Sequence, residues 1–419
     1  MGNAVTEIVR ITDMRAPILT DAQKQLLEYT SAHPVTLTAD AVMQAAKAQT
    51  GLSDFGDMSF LPRLELWMSA ADADENLSSA GRASVFGLAF RFARARLELE
   101  ALIRRHPDIE NVELEPPVIV AGLPRSGTTY TLQLLGSDVR LRSLQHWEGV
   151  RPVADPYIVD GKDTRFELAE AEWIEADAIS PIAKLTHEFT PDHITEDIEL
   201  TSTDFGGYYI EWFANVPQWR DYQLSHDPAP WLGYMRRAIK ALVWQRGPNR
   251  WVGKCPQHME QLPAVSKAFP GAYLVINHRD PVASIQSAIT MMGYSARFTQ
   301  KRPDLDQIAE YWIDRYERLL RRCVQDRDAL DPDHVYDLYF HKLMADPLGE
   351  MKAIYDQAGI PFDDQTHASF RQAVEKNQRG KHGQLVYDLR GDFGLEPAKI
   401  RDRFSFYFER FPEIRAEID

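Results

Sequence analysis

The run Pro116-Pro117-Val118-Ile119-Val120-Ala121, closed by Gly122 and followed by a helix-compatible stretch from Thr128 to Leu135, constrains the fold more than any other part of the chain. A short, continuous apolar run rich in β-branched residues, bounded by turn residues, reads as a strand covered on both faces. The unit is therefore strand, glycine-containing loop, helix. It recurs: Trp251-Val252-Gly253-Lys254 leads into a helix near Gln257 to Phe269, and Tyr273-Leu274-Val275-Ile276 leads into one from Pro281 to about Met292. A further strand is read at Arg140 to Leu144. Continuous apolar strands alternating with helices predict an α/β fold: a parallel sheet flanked by helices in three layers.

Before this unit the texture is different. From about residue 20 to 106 apolar residues recur at three and four, and Ser78 or Ser79 can cap a long helix ending at Arg105, where His106-Pro107 stops it. Leu88, Phe92, Leu99, Leu102 and Ile103 are its expected core face. Arg91, Arg94, Arg96, Arg104 and Arg105 on the same helix read as solvated charges rather than a phosphate-binding face. The division expected is an N-terminal helical extension over 1–112 and an α/β domain over 113–419 with a mostly helical insertion near 160–250. That insertion holds the aromatic cluster Phe205, Tyr208, Tyr209, Trp212, Phe213, Trp219, Tyr222, Trp231 and Tyr234, which lines an acceptor pocket or belongs to the core.

The 419 residues carry 47 Lys and Arg against 62 Asp and Glu, a net charge of −15. Nucleic-acid binding rests on a surplus of basic groups that displace counterions, so that partner is not expected, and any anionic ligand must meet a locally basic pocket. Two cysteines, Cys255 and Cys323, are too few for a disulfide framework or a zinc cage, which points to a reducing, cytoplasmic setting and no metal. No apolar run reaches the roughly 18 residues of a membrane span. Met1-Gly2-Asn3-Ala4-Val5-Thr6 fits the loose N-myristoylation pattern, a signal too permissive to weigh heavily.

The loop after the first strand reads Gly122-Leu123-Pro124-Arg125-Ser126-Gly127-Thr128-Thr129. Backbone N–H groups at a helix start can surround a phosphate, and Gly127 lets the main chain approach it. A nucleoside-triphosphate loop carries Lys after its second glycine to reach the β and γ phosphates. Here Thr128 stands in that place, while Arg125 offers a fork suited to one phosphate or sulfate group.

Pro124-Arg125-Ser126-Gly127-Thr128-Thr129 resembles the 5′-phosphosulfate loop of sulfotransferases that use 3′-phosphoadenosine 5′-phosphosulfate (PAPS), which reads P-[KR]-S-G-T-T. A second segment, His278 to Ser287, resembles that family's 3′-phosphate motif, an Arg with a Ser eight residues later, matched by Arg279 and Ser287. Trp251-Val252-Gly253-Lys254-Cys255-Pro256 is similar to the strand-end K-x-P segment of bacterial and tyrosylprotein members. Phe340-His341-Lys342-Leu343 with Asp346-Pro347 is similar to their Y-E-D-L-x-x-x-P stretch, with Phe340 in place of Tyr. Gly391 to Leu395 followed by Ile400 to Phe411 resembles the C-terminus of the large bacterial members. Arg379-Gly380-Lys381-His382-Gly383 stands where relatives place a late basic loop touching the 3′-phosphate, so Lys381 joins the cofactor-binding set. The resemblance covers roughly residues 116 to 411. It implies a P-loop-like fold, PAPS as sulfuryl donor, 3′,5′-adenosine bisphosphate (PAP) as product, no metal, and a small-molecule hydroxyl or amine as acceptor.

Sulfuryl transfer needs cationic groups at the bridging and equatorial oxygens and a base for the acceptor proton. Arg125 and Lys254 are the candidates for the first task, Lys254 because it ends a strand, where open α/β sheets bind ligands. For the base the resemblance to the tyrosylprotein type favours Glu148, with His146 as alternative because imidazole titrates near neutrality. His187, Glu188, His193, Glu196 and Asp197 form a polar cluster that either touches the acceptor or, the preferred reading, is helix surface, and His258 either approaches the site or is a cap or surface residue. Cys255, beside Lys254, would make thiol modification a probe of the site. Two other functions fit parts of the pattern: a phosphate-loop kinase or nucleotide hydrolase, and a non-catalytic protein binding 3′-phosphoadenosine or coenzyme A.

Overall fold

The registers of two strand pairs position everything that follows: Val120 lies beside Lys254, and Gly122 beside Asn277. The computed structural model describes residues 8–186, 190–377 and 383–418. Among them are the strands β1 (Ile8–Arg10), β2 (Glu115–Gly122), β3 (Leu141–Arg142), β4 (Ile158–Val159), β5 (Lys162–Asp163), β6 (Arg250–Lys254), β7 (Tyr273–His278), β8 (Val335–Tyr339) and β9 (Gln384–Val386). The central sheet has the order β3-β6-β2-β7-β8, and every pairing in it is parallel. β1 pairs with β9, and β4 with β5, in two small separate sheets.

β2 is apolar on both faces because both are covered. Val118 and Val120 pack with Val252, Val275 and Leu338, whereas Ile119 and Ala121 pack with Leu274 and Ile276. The expected three-layer α/β architecture is what the chain forms. With β2 at the centre and its neighbours filled from both directions, the carboxyl ends of β2, β6 and β7 lie abreast, the place where ligands bind in open parallel sheets. The sequence reading missed β8, whose apolar residues are interrupted by Tyr336 and Asp337. It also stopped short on the helix after β7, which runs Pro281–Thr299, and it merged a 3₁₀ turn, Pro256–Glu260, with the helix Leu262–Ala268.

The N-terminal part folds as α1 (Asp21–Ala32), α2 (Ala39–Thr50), α3 (Leu61–Asp72) and the 27-residue α4 (Ser79–Arg105). Ser78 caps α4 by accepting from the Gly81 N–H at 3.0 Å. Leu88, Phe92, Leu99, Leu102 and Ile103 are all buried. The arginines are a correction. Arg94 and Arg96 are buried, and Arg96 donates to Asp204 at 2.7 Å while lying over the rings of Phe60 and Tyr234. Arg63 also pairs with Asp204. Burying these charges is tolerated because the carboxylate and the carbonyls of Phe55 and Asp57 satisfy the guanidinium of Arg96. Arg104 and Arg105 do stay exposed, paired to Asp54 and Asp155.

The insertion forms the helices Arg165–Ile179, Ile198–Ser202, Pro217–Ser225 and Ala229–Gln245. Its aromatic cluster divides. Phe205 and Trp219 are fully buried against α2, α3 and α4, Trp231 and Tyr234 join the main core, and Tyr209 and Trp212 stay partly open. Residues Met1–Thr6, His187, Glu188 and Arg379–His382, including Lys381, lie outside the described residues.

Candidate functional site

β2 hands the chain to a loop whose backbone alternates hand. Arg125 has φ 70° and Gly127 φ 89°, so two left-handed residues bracket Ser126 before α5 (Thr128–Leu135) begins. Such alternation turns successive N–H groups toward one concave side, an anion-binding nest at a helix start. A side chain at Gly127 would be strained by that φ and would meet the Phe340 ring at 2.9 Å. Ser126 ties the loop together by donating its hydroxyl to the Leu123 carbonyl at 2.7 Å.

Arg279 and Ser287 meet at Arg125. The Arg125 Nε donates to Ser287 Oγ at 3.0 Å, and Arg279 Nη1 donates to the Arg125 carbonyl at 2.5 Å. The Ser287 hydroxyl donates to Tyr387 Oη at 2.9 Å, and the Arg279 guanidinium lies over the Phe340 ring, 4.0 Å from its centroid. Phe340 thus packs between Gly127 and Arg279. Arg279 also holds Glu417 of the C-terminal segment at 2.6 Å.

At the neighbouring strand end Lys254 is 2% exposed. Its Nζ lies 3.4 Å from Thr129 Oγ1 and forms an ion pair with Glu196. Glu196 reaches it because the Asp197 N–H donates to the Lys254 carbonyl at 2.9 Å, which pins the 196–197 backbone to the end of β6. Asp197 itself faces inward, accepting from Trp251 Nε1 at 3.0 Å and lying 3.5 Å from His258 Nε2. His258 is therefore a buried support beneath the strand end, neither cap nor surface.

Pro124, Arg125, Thr129, Lys254, Glu196 and His146 line one cavity of about 210 Å³, closed further by His193, Tyr209, Trp212 and Met291. The cluster read as helix surface thus supplies its carboxylate. Its signal in the sequence was the concentration of acid and imidazole groups, with nothing local to say which way they face. His146 stacks on His193 with centroids 4.9 Å apart. Burial, then the neighbouring His193 and two arginines, pushes its pKa down to about 3, so the ring is neutral near pH 7. Glu199 also faces the cavity, paired to Arg91 at 2.8 Å, its pKa raised by burial.

The structure does not bring Glu148 to this cavity. The carboxylate is 3% exposed and turns back on its own helix, accepting from Arg142 at 2.7 Å, from Arg246 at 2.9 Å and from the Gln145 N–H. Two arginines and a capped helix end account for it. Cys255 is also a correction: it is fully buried, and burial pushes its thiol well above the ordinary range, so it does not offer a reactive thiolate beside Lys254.

Comparison with known proteins identifies the family and the fold. Residues 116–364 match the model of the sulfotransferase family. The chain is 25% identical over 263 residues to the omega-hydroxy-beta-dihydromenaquinone-9 sulfotransferase Stf3 of Mycobacterium tuberculosis, covering 60% of this chain and 64% of that protein. Among solved structures it is similar to the sulfotransferase STF9 of Mycobacterium avium, with a TM-score of 0.80 at 25% identity over 92% of this chain and 99% of that one. It is also similar to STF1 of Mycobacterium tuberculosis, with a TM-score of 0.78 at 25% identity over 88% and 98%.

Proposed function

The chain belongs to the sulfotransferase family, and from that premise we propose that it moves a sulfuryl group from PAPS to the hydroxyl or amine of a small-molecule acceptor by in-line displacement. The observation that carries the reading is the row Thr129, Lys254, Glu196 in one cavity: phosphate loop, cation and carboxylate in sequence. The donor set also fits the donor molecule. The loop 124–129, with its two left-handed residues, would hold the 5′-phosphosulfate, and Arg279, Ser287 and Lys381 the 3′-phosphate.

PAPS supplies an electrophilic sulfur and a phosphate leaving group. Arg125 and Lys254 balance the charge that builds on the bridging and equatorial oxygens, acting from a site where they are already ordered. Glu196 takes the proton of the acceptor, so that the new oxygen–sulfur bond forms as the bond to the phosphate breaks and PAP leaves. This assigns the base to Glu196 in place of Glu148. Neutral His146, on the cavity wall, would accept a hydrogen bond from the acceptor and orient it.

Incubation with labelled PAPS and a panel of phenols, alcohols, sterols and amines tests the reading. Sulfated product and stoichiometric PAP are expected, and Glu196→Gln lowers kcat by about 10²- to 10⁴-fold while PAP still binds. Thermal stabilisation by ATP with magnesium but not by PAP would mark a kinase or hydrolase instead; binding of PAP without any sulfated product would mark a binding protein. Two buried, unpaired thiols suit the reducing cytoplasm in which we place it.

A further inference from the structure

The chain leaves the end of β7 with three successive side chains going three ways. Asn277 turns to the face of the sheet that carries α5 and donates to Thr131 Oγ1 at 2.9 Å. His278 takes the opposite face, because successive side chains of a strand alternate. Arg279 then reaches the Arg125 carbonyl in the loop. The reaction described above uses Arg279, and His278 stands outside it.

His278 is 1% exposed, yet both of its ring nitrogens are engaged. Nδ1 lies 2.7 Å from the hydroxyl of Tyr407, on the helix Ser405–Arg410, and Nε2 lies 2.9 Å from Asp337 Oδ1 on β8. Arg327, just beyond the helix Leu305–Asp326, donates to both oxygens of Asp337, at 3.1 Å and 2.8 Å. Burial pushes the Tyr407 hydroxyl well above its ordinary pKa, so it keeps its proton and donates to Nδ1. The ring proton therefore sits on Nε2 and points to Asp337. Burial also lowers the imidazole pKa, against the pull of Asp337, and the ring is neutral near pH 7. Asp337 stays ionised: burial works against its charge, but the hydrogen bonds from His278 and Arg327 hold it at about 2. Tyr407, His278, Asp337 and Arg327 thus form one satisfied row, with the Phe411 ring laid against the imidazole at 4.0 Å between centroids.

We infer that His278 is the positioning residue of Arg279: the row fastens the end of β7 to the C-terminal helix and so sets the direction in which the next side chain leaves for the phosphate loop. The inference rests on the sulfotransferase reading above, in which Arg279 meets the 3′-phosphate of the donor. It gives Tyr407 and Asp337 a part in donor binding without contact to the donor. A fully satisfied buried row of polar groups rigidifies what it joins. A guanidinium gives its full charge-assisted strength only when its N–H groups meet the oxygens in line, so a small rotation of the strand end weakens the hold on that phosphate above all.

Calorimetric titration with PAP and with 5′-AMP, which lacks the 3′-phosphate, separates positioning from general support of the fold. His278→Phe keeps a ring against Phe411 and removes both hydrogen bonds, whereas Tyr407→Phe removes one. PAP binding is expected to weaken about tenfold in the first and about threefold in the second, with 5′-AMP held within about twofold of wild type. KM for PAPS should rise by more than kcat falls. In an Arg279→Met background neither substitution should weaken PAP further, because the group they position is gone. Should His278→Phe fail to fold, Tyr407→Phe gives the same reading with a smaller change. Equal losses for PAP and 5′-AMP, a loss that persists in the Arg279→Met background, or no loss in either variant overturns this inference alone. Failure of the wild-type protein to bind PAP overturns it together with the sulfotransferase reading.

Discussion

Glu148 and Glu196 carry the same carboxylate and differ in what faces it. Glu148 neutralises Arg142 and Arg246 inside the fold, whereas Glu196 is paired to Lys254 at the edge of the cavity. Glu148→Gln should therefore act on stability, leaving the buried Arg142 unmatched at a cost of about 3 kcal/mol in a denaturant melt, with kcat per folded molecule unchanged. His146 makes a pH prediction. Above about pH 6.5 its ring is neutral both folded and unfolded; below that the unfolded chain takes up the proton first, and the folded ring follows only near its pKa of about 3. The folded state thus loses stability as pH falls across that window. His146→Gln should flatten this part of the stability profile in melts taken from pH 7 to pH 4, and an unchanged slope would remove His146 as its source.

Among elements, the C-terminal segment does something the sheet does not require. Glu417 holds Arg279 at 2.6 Å and its N–H donates to Asp280 Oδ2 at 2.8 Å, so the last turn of chain is fastened across the residue proposed to hold the 3′-phosphate. A carboxylate there competes with the phosphate for one guanidinium. Glu417→Gln should tighten PAP binding about threefold to tenfold by calorimetry, the worth of a partly exposed ion pair, while Arg279→Met weakens it. The sheet elements themselves follow from local pattern. β2, β6 and β7 are continuous apolar runs ending at Gly122, Lys254 and His278, and parallel pairing alone brings those ends together. β8 escaped notice because it is an edge strand, and the partly buried Tyr336 and Asp337, on opposite faces, break the apolar run that marks its neighbours.

The whole molecule is held across its parts by buried charge as well as by hydrocarbon. Asp204, in the insertion, takes Arg63 from α3 and Arg96 from α4, and Phe205 beside it packs on Phe60, Trp67 and Phe92. The N-terminal helices and the insertion therefore share one core. Asp204→Ala leaves two buried guanidinium groups uncompensated and should destabilise the protein by about 3–5 kcal/mol, seen as a lowered Tm with a normal response to PAP in the folded fraction. This junction was hidden in the sequence, where Arg94 and Arg96 look like any charges on a long helix. The loop 122–129 was legible because it is eight consecutive residues whose backbone conformation is dictated locally by Gly127 and the strand–helix junction. Arg279 and Ser287 were legible for the same reason, two turns of one helix after one strand. The carboxylate beside Lys254, the cavity lining and the buried arginines were not, because each depends on which side chain a distant segment presents: Glu196 to Lys254 across 58 positions, Arg246 to Glu148 across 98, Met291 and Trp212 to one cavity from separate parts of the chain. Sequence by itself determined the sheet, the loop and the family, since those are properties of short contiguous stretches. Only the tertiary structure decided which carboxylate faces the cavity, since facing is settled by the competition of remote partners for each buried group.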